Sequence, residues 1–265
     1  MVALALLTGC GPGSPDVGRS TKVANVRSPA VPRPTPVAVK RQACPEWHPP
    51  KDGSDHGENT GPPPKIPRAF ADIVSASRTM LTVQGLAGKP ACIELSWRDD
   101  FDQFALSADK RFLDFSAEGF ETSGHILVDR QTGDWVDTGE TPVFSDDGKM
   151  LAAVQITLSE DGTLEGVGVW RVTPHGIDEV AKITDLPRFG MPVDADDVDW
   201  TVERWVGDDC AELSAVPERT SQDKRGRDVT RRQPKEHFRL SHESGKWRLV
   251  EARAQSSCFH PRPLH

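Results

Sequence analysis

The sequence lacks the short motifs that mark many soluble enzymes. It contains no G-x-S-x-G nucleophile elbow, no H-E-x-x-H zinc motif, no P-loop and no G-x-G-x-x-G dinucleotide motif. Basic residues are not in excess: the 265 residues carry a net charge of -8, which argues against a nucleic-acid-binding protein. Beyond the N-terminal segment, no stretch approaches the roughly 18 consecutive apolar residues of a membrane-spanning helix. These absences favour a binding protein, or an enzyme whose site is built from loops.

The N-terminal segment is a short apolar run that ends in Leu7-Thr8-Gly9-Cys10. It resembles the lipobox of bacterial lipoproteins, in which the run is an export signal and small residues precede the cysteine. The resemblance implies that residues 1–9 are the remnant of a signal peptide and that Cys10 carries acyl chains such as palmitate, which anchor the protein to a membrane. We therefore expect a protein of the bacterial cell envelope. Because Gly11 replaces the aspartate that marks inner-membrane retention, we expect the outer membrane, facing the periplasm.

The five cysteines show no C-x-x-C and no Cys/His spacing typical of a zinc site. Apart from Cys10, four remain, and cysteines of exported proteins are usually oxidised in pairs. Of the three possible pairings we favour Cys44–Cys92 and Cys210–Cys258, because each would join an irregular end of the chain to a nearby strand. The alternative is a cytosolic protein with four buried free thiols.

Proline is concentrated in the N-terminal part of the chain, notably between residues 29 and 36 and at 62–64. Because proline fixes φ and removes a hydrogen-bond donor, such a segment favours an extended, solvated chain that cannot build a core. We predict a disordered tether over residues 10–68, starting at the lipidated cysteine, and a single β domain over 69–265.

From about residue 70 the hydrophobic pattern has a period of two. Residues 92–97 and 150–159 alternate in this way, which is typical of strands with one buried face. Turns rich in Asp, Gly and Ser, such as Asp146-Asp147-Gly148, separate these runs. The sequence therefore predicts an all-β fold of antiparallel sheets, with one short helix at residues 70–82.

A faint repeat aligns Leu106–Leu113 with Phe144–Leu151. The second copy, Phe-Ser-Asp-Asp-Gly-Lys-x-Leu, resembles the inter-blade segment of WD-repeat and related bacterial β-propeller families. The resemblance implies blade-like units near 100–140, 141–184 and 196–253. Propellers usually close with about four to eight blades. Three units therefore predict a partial propeller-like arrangement, with an irregular sandwich or barrel as the alternative.

Few side chains indicate a site. The densest acidic cluster is Asp194, Asp196, Asp197 and Asp199, whose carboxylates could bind calcium, although the loop lacks the central Gly and terminal Glu of an EF-hand. A solvated acidic loop is the alternative. His125 is a weaker candidate for acid–base chemistry, because the sequence shows no partner residues for it.

Two further features admit more than one interpretation. The basic run Lys224–Arg227, followed by Arg231 and Arg232, is typical of a solvated loop, and contact with anionic lipid or an envelope polymer is the alternative. The seven tryptophans are assigned to core packing, with a groove for sugars or peptides as the alternative.

Taken together, these patterns predict a lipid-anchored envelope protein that binds or scaffolds another component. The expected partner is an envelope protein or polymer, with no cofactor and no nucleic acid. Two alternatives remain open: an envelope hydrolase with a site built from loops, and a secreted β protein without lipid.

Overall fold

The computed structural model describes residues 42–45, 61–95, 98–119, 122–156, 164–187, 189, 198–252 and 258. All of them belong to the compact unit Val39–His265. Strands make up 58% of the structure, and all are in antiparallel sheets, which confirms the predicted all-β class. Their one helical element is a 3-10 turn at Arg68–Phe70. A helix with the length and apolar character needed to cross a membrane is not found in this part of the chain.

Four sheets follow one another along the sequence, and every strand pair in them is antiparallel. The first sheet contains β1 (Val74–Ala76), β2 (Met80–Val83) and β3 (Ala91–Glu94). The second contains β4 (Arg98–Leu106), β5 (Phe112–Gly119), β6 (Thr122–Asp129) and β7 (Asp134–Asp137). The third contains β8 (Val143–Phe144), β9 (Met150–Gln155), β10 (Gly166–Thr173) and β11 (Gly176–Ile183).

The fourth sheet has five strands. They are β12 (Val198–Trp205), β13 (Cys210–Gln222), β14 (Asp228–Arg232), β15 (Glu236–Glu243) and β16 (Lys246–Glu251). Its order is β12–β13–β15–β16, and β14 pairs only with the distal part of β13. The first three sheets are meanders, in which each strand pairs with the next one along the chain.

The predicted helix at residues 70–82 is wrong. The 3-10 turn at Arg68–Phe70 is followed by β1 and β2, which are joined by a tight turn. In that turn the Ser77 hydroxyl accepts hydrogen bonds from the backbone N–H groups of Thr79 and Met80. Pairing with β3 then buries all four residues of β2, and this tertiary contact outweighs the local helical spacing.

The two halves of the sequence repeat form equivalent hairpins. In the first, the backbone N–H of Lys110 donates to Ser107 O, and Ser107 Oγ donates to the carboxylate of Asp109. In the second, Gly148 N donates to Ser145 O and Ser145 Oγ donates to Asp147. The same short polar motif therefore turns the chain from β4 into β5 and from β8 into β9.

Each sheet packs face to face on the next one. Three apolar clusters fill the three interfaces, because alternate residues of a strand point to opposite faces. Leu113 and Phe115 of β5 face the first sheet, whereas Phe112 of the same strand faces the third. The largest cluster lies between the third and fourth sheets and includes Val169 and Leu213. Within the described residues, no sheet closes on itself and no apolar cluster joins the first sheet to the fourth.

The middle sheets are therefore covered on both sides. In β9, Met150 and Ala152 face the fourth sheet, while Leu151 and Ala153 face the second, and all six residues of the strand are buried. The expectation of one wet face for this strand is wrong. The residues that alternate with the core positions are themselves apolar, which is the pattern of a strand buried on both faces.

Two disulfides join the ends of the described chain to the terminal sheets. Cys44 is bonded to Cys92 of β3, and Cys258 is bonded to Cys210 of β13, so the observed pairing is the predicted one. Cys92 alternates with Ile93, which faces the second sheet, so the first bridge lies on the outer face of the first sheet. By the same alternation, Cys210 faces away from the third sheet.

Candidate binding cleft

An open cleft of about 490 Å³ lies between the third and fourth sheets. Its walls come mostly from β8, β9 and β12 and are more apolar than polar. The apolar lining residues are Val143, Val154, Ile156, Val198, Trp200 and Val202. The polar ones are Glu140, Thr141, Gln155, Asp199 and Thr201. The Trp205 indole Nε1 donates to Val143 O at 2.8 Å, which fixes β8 against the fourth sheet.

The loop between β7 and β8 supplies Glu140 and Thr141, and its conformation is fixed by its own sequence. The fully buried Thr138 donates from its backbone N–H to His125 O at 2.7 Å. Gly139 has φ 72°, and a Cβ atom there would lie 2.4 Å from the Gln155 side chain. Only glycine therefore lets the loop pass this close to Gln155.

Gln155 forms part of the floor of the cleft and is held rigidly. Its Nε2 donates to Ser123 O at 2.8 Å and to Gly139 O at 3.4 Å, while its Oε1 accepts from the backbone N–H of Leu164 at 3.4 Å. This side chain is 4% exposed. These hydrogen bonds fix the end of β9, which borders the cleft, against the second sheet and the loop before β8.

A buried histidine lies next to Thr141 of the cleft. His125 of β6 is 7% exposed, and its Nδ1 lies 3.5 Å from Asp114 Oδ1. Burial lowers the pKa of His125, but the hydrogen bond to Asp114 and the charges of Asp114, Glu140 and Asp102 outweigh it, so the pKa lies above its ordinary value. The structure thus favours a positive charge at this position.

Two carboxylates, Glu140 and Asp199, are among the residues that line the cleft. Partial burial raises the pKa of Glu140; the charge of His125 opposes this rise and the charge of Asp199 adds to it. Asp199 Oδ2 also lies 3.4 Å from Arg232 Nη2. The apolar walls with these two carboxylates suit a ligand that carries a cationic group on an apolar body.

The arrangement of Asp114, His125 and Thr141 raises the question of nucleophilic catalysis. Thr141 Oγ1 lies 3.3 Å from His125 Nε2 and 3.5 Å from Nδ1. Because these two distances are nearly equal, the hydroxyl does not lie along the direction of the Nε2 lone pair. Ser116, which pairs across the strands with His125, instead donates its hydroxyl hydrogen to Asp102. The geometry therefore favours positioning of the loop over activation of a hydroxyl.

The structure locates only some of the residues singled out in the sequence. Cys10 and the acidic residues Asp194, Asp196 and Asp197 lie outside the described residues. Asp199, the fourth member of that cluster, lies on β12 at the cleft. No group of three or more possible metal ligands occurs among the described residues.

Glu140, Thr141 and Gln155 are cleft residues that sequence reasoning missed. No motif contains them, and each is an ordinary polar residue at a strand end or in a short loop. The only available signal was Asp137-Thr138-Gly139, a turn pattern that fixes the loop in front of them.

Comparison with protein-family models and with curated proteins gave no match for this chain.

Proposed function

We propose that the protein is a lipid-anchored binding module of the bacterial cell envelope that takes its ligand in the cleft between the third and fourth sheets. The observation that carries the binding role is the cleft itself, which combines apolar walls with two carboxylates. The lipobox-like segment ending at Cys10 supports the anchor. The two disulfides are typical of an oxidising compartment and support export.

The charges of these carboxylates favour a cationic ligand group. The negative charge of Asp199 disfavours ionisation of Glu140, and a cation placed between the two carboxylates would relieve this repulsion. An alkyl chain attached to that cation would contact Val143 and Trp200 of the walls. An amine on an apolar body, such as a lysine side chain of a partner protein, has this chemistry.

A titration with three small probes tests this ligand class. Hexylamine, hexanol and hexanoate share an apolar chain and differ in charge, and Trp200 in the wall serves as a fluorescent reporter. We expect saturable binding of hexylamine only, weakened about tenfold or more by Glu140→Gln combined with Asp199→Asn, which corresponds to a charged hydrogen-bonded contact. Asp178→Asn, an exposed carboxylate on β11, is the matched control. Equal responses to all three probes would contradict the proposal.

Detergent partitioning tests the anchor. The full chain, expressed in a bacterium, should enter the detergent phase, and Cys10→Ala should stay in the aqueous phase or remain unprocessed. Equal partitioning of the two proteins would instead support a secreted β protein without lipid.

An envelope hydrolase is the second candidate, because Thr141 of the cleft lies 3.3 Å from His125 Nε2, and His125 Nδ1 lies 3.5 Å from Asp114. Release of nitrophenol from short nitrophenyl esters, abolished by Thr141→Val and by His125→Gln, would support it. Activity that survives both substitutions would not arise from this group of residues.

A further inference from the structure

The hairpin of β14 and the distal half of β13 forms an arm, Glu218–Arg232, that extends beyond the fourth sheet. From Glu218 to Gln222, β13 pairs with β14 alone, whereas its proximal part pairs with β12 and β15. Most residues of the arm are exposed on both faces. The Asp223 carboxylate accepts hydrogen bonds from the backbone N–H groups of Arg225 and Arg227, which fixes the turn at the tip.

The charge of the arm is opposite to that of the whole protein. The arm carries six basic and three acidic residues, whereas the chain has a net charge of -8. The acidic residues are largely neutralised within the arm. Arg227 Nη2 lies 2.8 Å from Asp223, and Arg232 Nε lies 2.7 Å from Glu218.

The two faces of the arm differ in charge. Cross-strand partners share a face, and residues alternate between faces. One face therefore carries the cross-strand pair Glu218 and Arg232. All acidic residues of the two arm strands lie on this face. The other face, which we name the cationic face, carries Arg219, Ser221, Val229 and Arg231. Neither strand places an acidic residue on it.

Arg219 and Arg231 lie directly opposite each other on the cationic face. Like charges at such a position destabilise a hairpin, because their Cβ atoms are only about 5 Å apart. Lys224 and Arg225 extend the positive charge to the tip. In the part of the chain that the structure describes, none of these four cations forms an ion pair. An anion bound between the two arginines would remove the repulsion.

We propose that the cationic face docks on the headgroups of anionic phospholipids. Arginine binds phosphate oxygens with a planar, two-pronged geometry, and a flat, exposed β face can meet several headgroups of a bilayer at once. Val229 lies among the cations, so the face combines positive charge with apolar area, as membrane-surface elements do. The proposal goes beyond the acyl anchor, because it gives the β domain its own contact with the membrane.

Vesicle co-sedimentation of the full chain with Cys10→Ser tests the docking without the anchor. Vesicles contain equal parts of phosphatidylglycerol and phosphatidylcholine, or phosphatidylcholine alone. We expect binding to the anionic vesicles only, and a decrease with added salt because salt screens exposed charges. Each cation close to an anionic surface strengthens binding roughly fivefold, so neutralising four should weaken it by about a hundredfold or more.

The arm variant changes the four cations to glutamine: Arg219→Gln, Lys224→Gln, Arg225→Gln and Arg231→Gln. The control variant changes four exposed cations outside the arm in the same way: Lys65→Gln, Arg78→Gln, Lys246→Gln and Arg248→Gln. Both variants have the same net charge, and circular dichroism checks that both are folded. Loss of binding in the arm variant alone supports the proposal.

Equal binding of the two variants, or no binding of the parent chain to anionic vesicles, would overturn it. A parent chain that binds soluble polyphosphate through the arm but ignores the vesicles would also overturn membrane docking, in favour of an anionic polymer. Because Cys10 is absent from every protein tested, failure here is distinct from failure of the proposed lipid anchor.

Discussion

Lys110 and Gly148 occupy the same position in the two equivalent hairpins, and both adopt a positive φ, 64° for Lys110 and 69° for Gly148. Glycine reaches this conformation without a steric penalty, whereas lysine does not. The same backbone conformation is therefore adopted by a lysine in one copy of the repeat and by a glycine in the other. The hydrogen bonds of Ser107 and Ser145 keep the bend the same in both.

Substitutions at this position should have opposite effects in the two hairpins. A Cβ atom at Gly148 would meet no atom within 4 Å, so Gly148→Val tests backbone strain alone and should lower the free energy of unfolding by about 1 kcal/mol or more. Lys110→Gly should raise it by up to about 1 kcal/mol, because relief of the strain at a positive φ outweighs the greater freedom of glycine in the unfolded chain. Urea unfolding measures both, and the same sign for both changes would contradict the equivalence of the hairpins.

A charge introduced into the interface between the third and fourth sheets should be costly. Val154 is 3% exposed within that core, and Val154→Asp should destabilise by several kcal/mol because the carboxylate would be buried without a partner. Ile156, two residues further on, is 39% exposed, so Ile156→Asp is the matched control and should cost less than about 1 kcal/mol. Thermal unfolding of both variants tests whether Val154 lies in the buried interface and Ile156 lies outside it.

The four domain cysteines should resist alkylation. In the Cys10→Ser chain taken from the bacterial envelope, mass analysis without reductant should find no modified thiol. Cys44→Ser with Cys92→Ser should lower the free energy of unfolding by roughly 2–4 kcal/mol, since the bridge closes a long loop. Four alkylated cysteines would show that the bridges do not form in the cell.

Stability should depend on pH through His125. Its pKa is raised in the folded protein, so its protonated form is the one that the fold stabilises. This stabilisation is complete below the unfolded pKa of about 6.5 and is lost as the pH rises through the higher folded value. His125→Gln should therefore reduce the fall in Tm between about pH 6 and pH 8. His175→Gln, an exposed residue in the turn after β10, is the control and should keep the fall seen in the parent protein.

Local patterns in the sequence were sufficient to predict those strands and turns whose structure is determined by residues close to them in the sequence. The presence of the strand that starts at Met150 and the turn at Asp146–Gly148 are of this kind, because both depend on residues a few positions apart, whereas the burial of both faces of that strand depends on the neighbouring sheets. The first two strands were missed, since β1 and β2 are short and their spacing also fits a helix. Their structure is decided by pairing with β3, and a local pattern does not contain that contact.

The cleft could not be predicted for the same physical reason. Asp114 and His125 become neighbours only through the register of β5 and β6, which pairs Ser116 with His125. Thr141 reaches His125 through a loop from the next sheet, and Asp199 comes from a strand of the fourth. The cysteine pairing was easier to predict than the cleft, because only three pairings were possible and the composition of the chain indicated its irregular ends.

The two disulfides lie at the two ends of the stack of sheets, one on the first sheet and one on the fourth. In a linear array each unit is stabilised by its neighbours, so the outermost units are the weakest and proteins of this kind seal them with special terminal caps. Here a covalent bridge on each outer face takes the place of such a cap. Under reducing conditions, amide hydrogen exchange should therefore begin at the first and fourth sheets and spread inward, leaving the second and third protected longest.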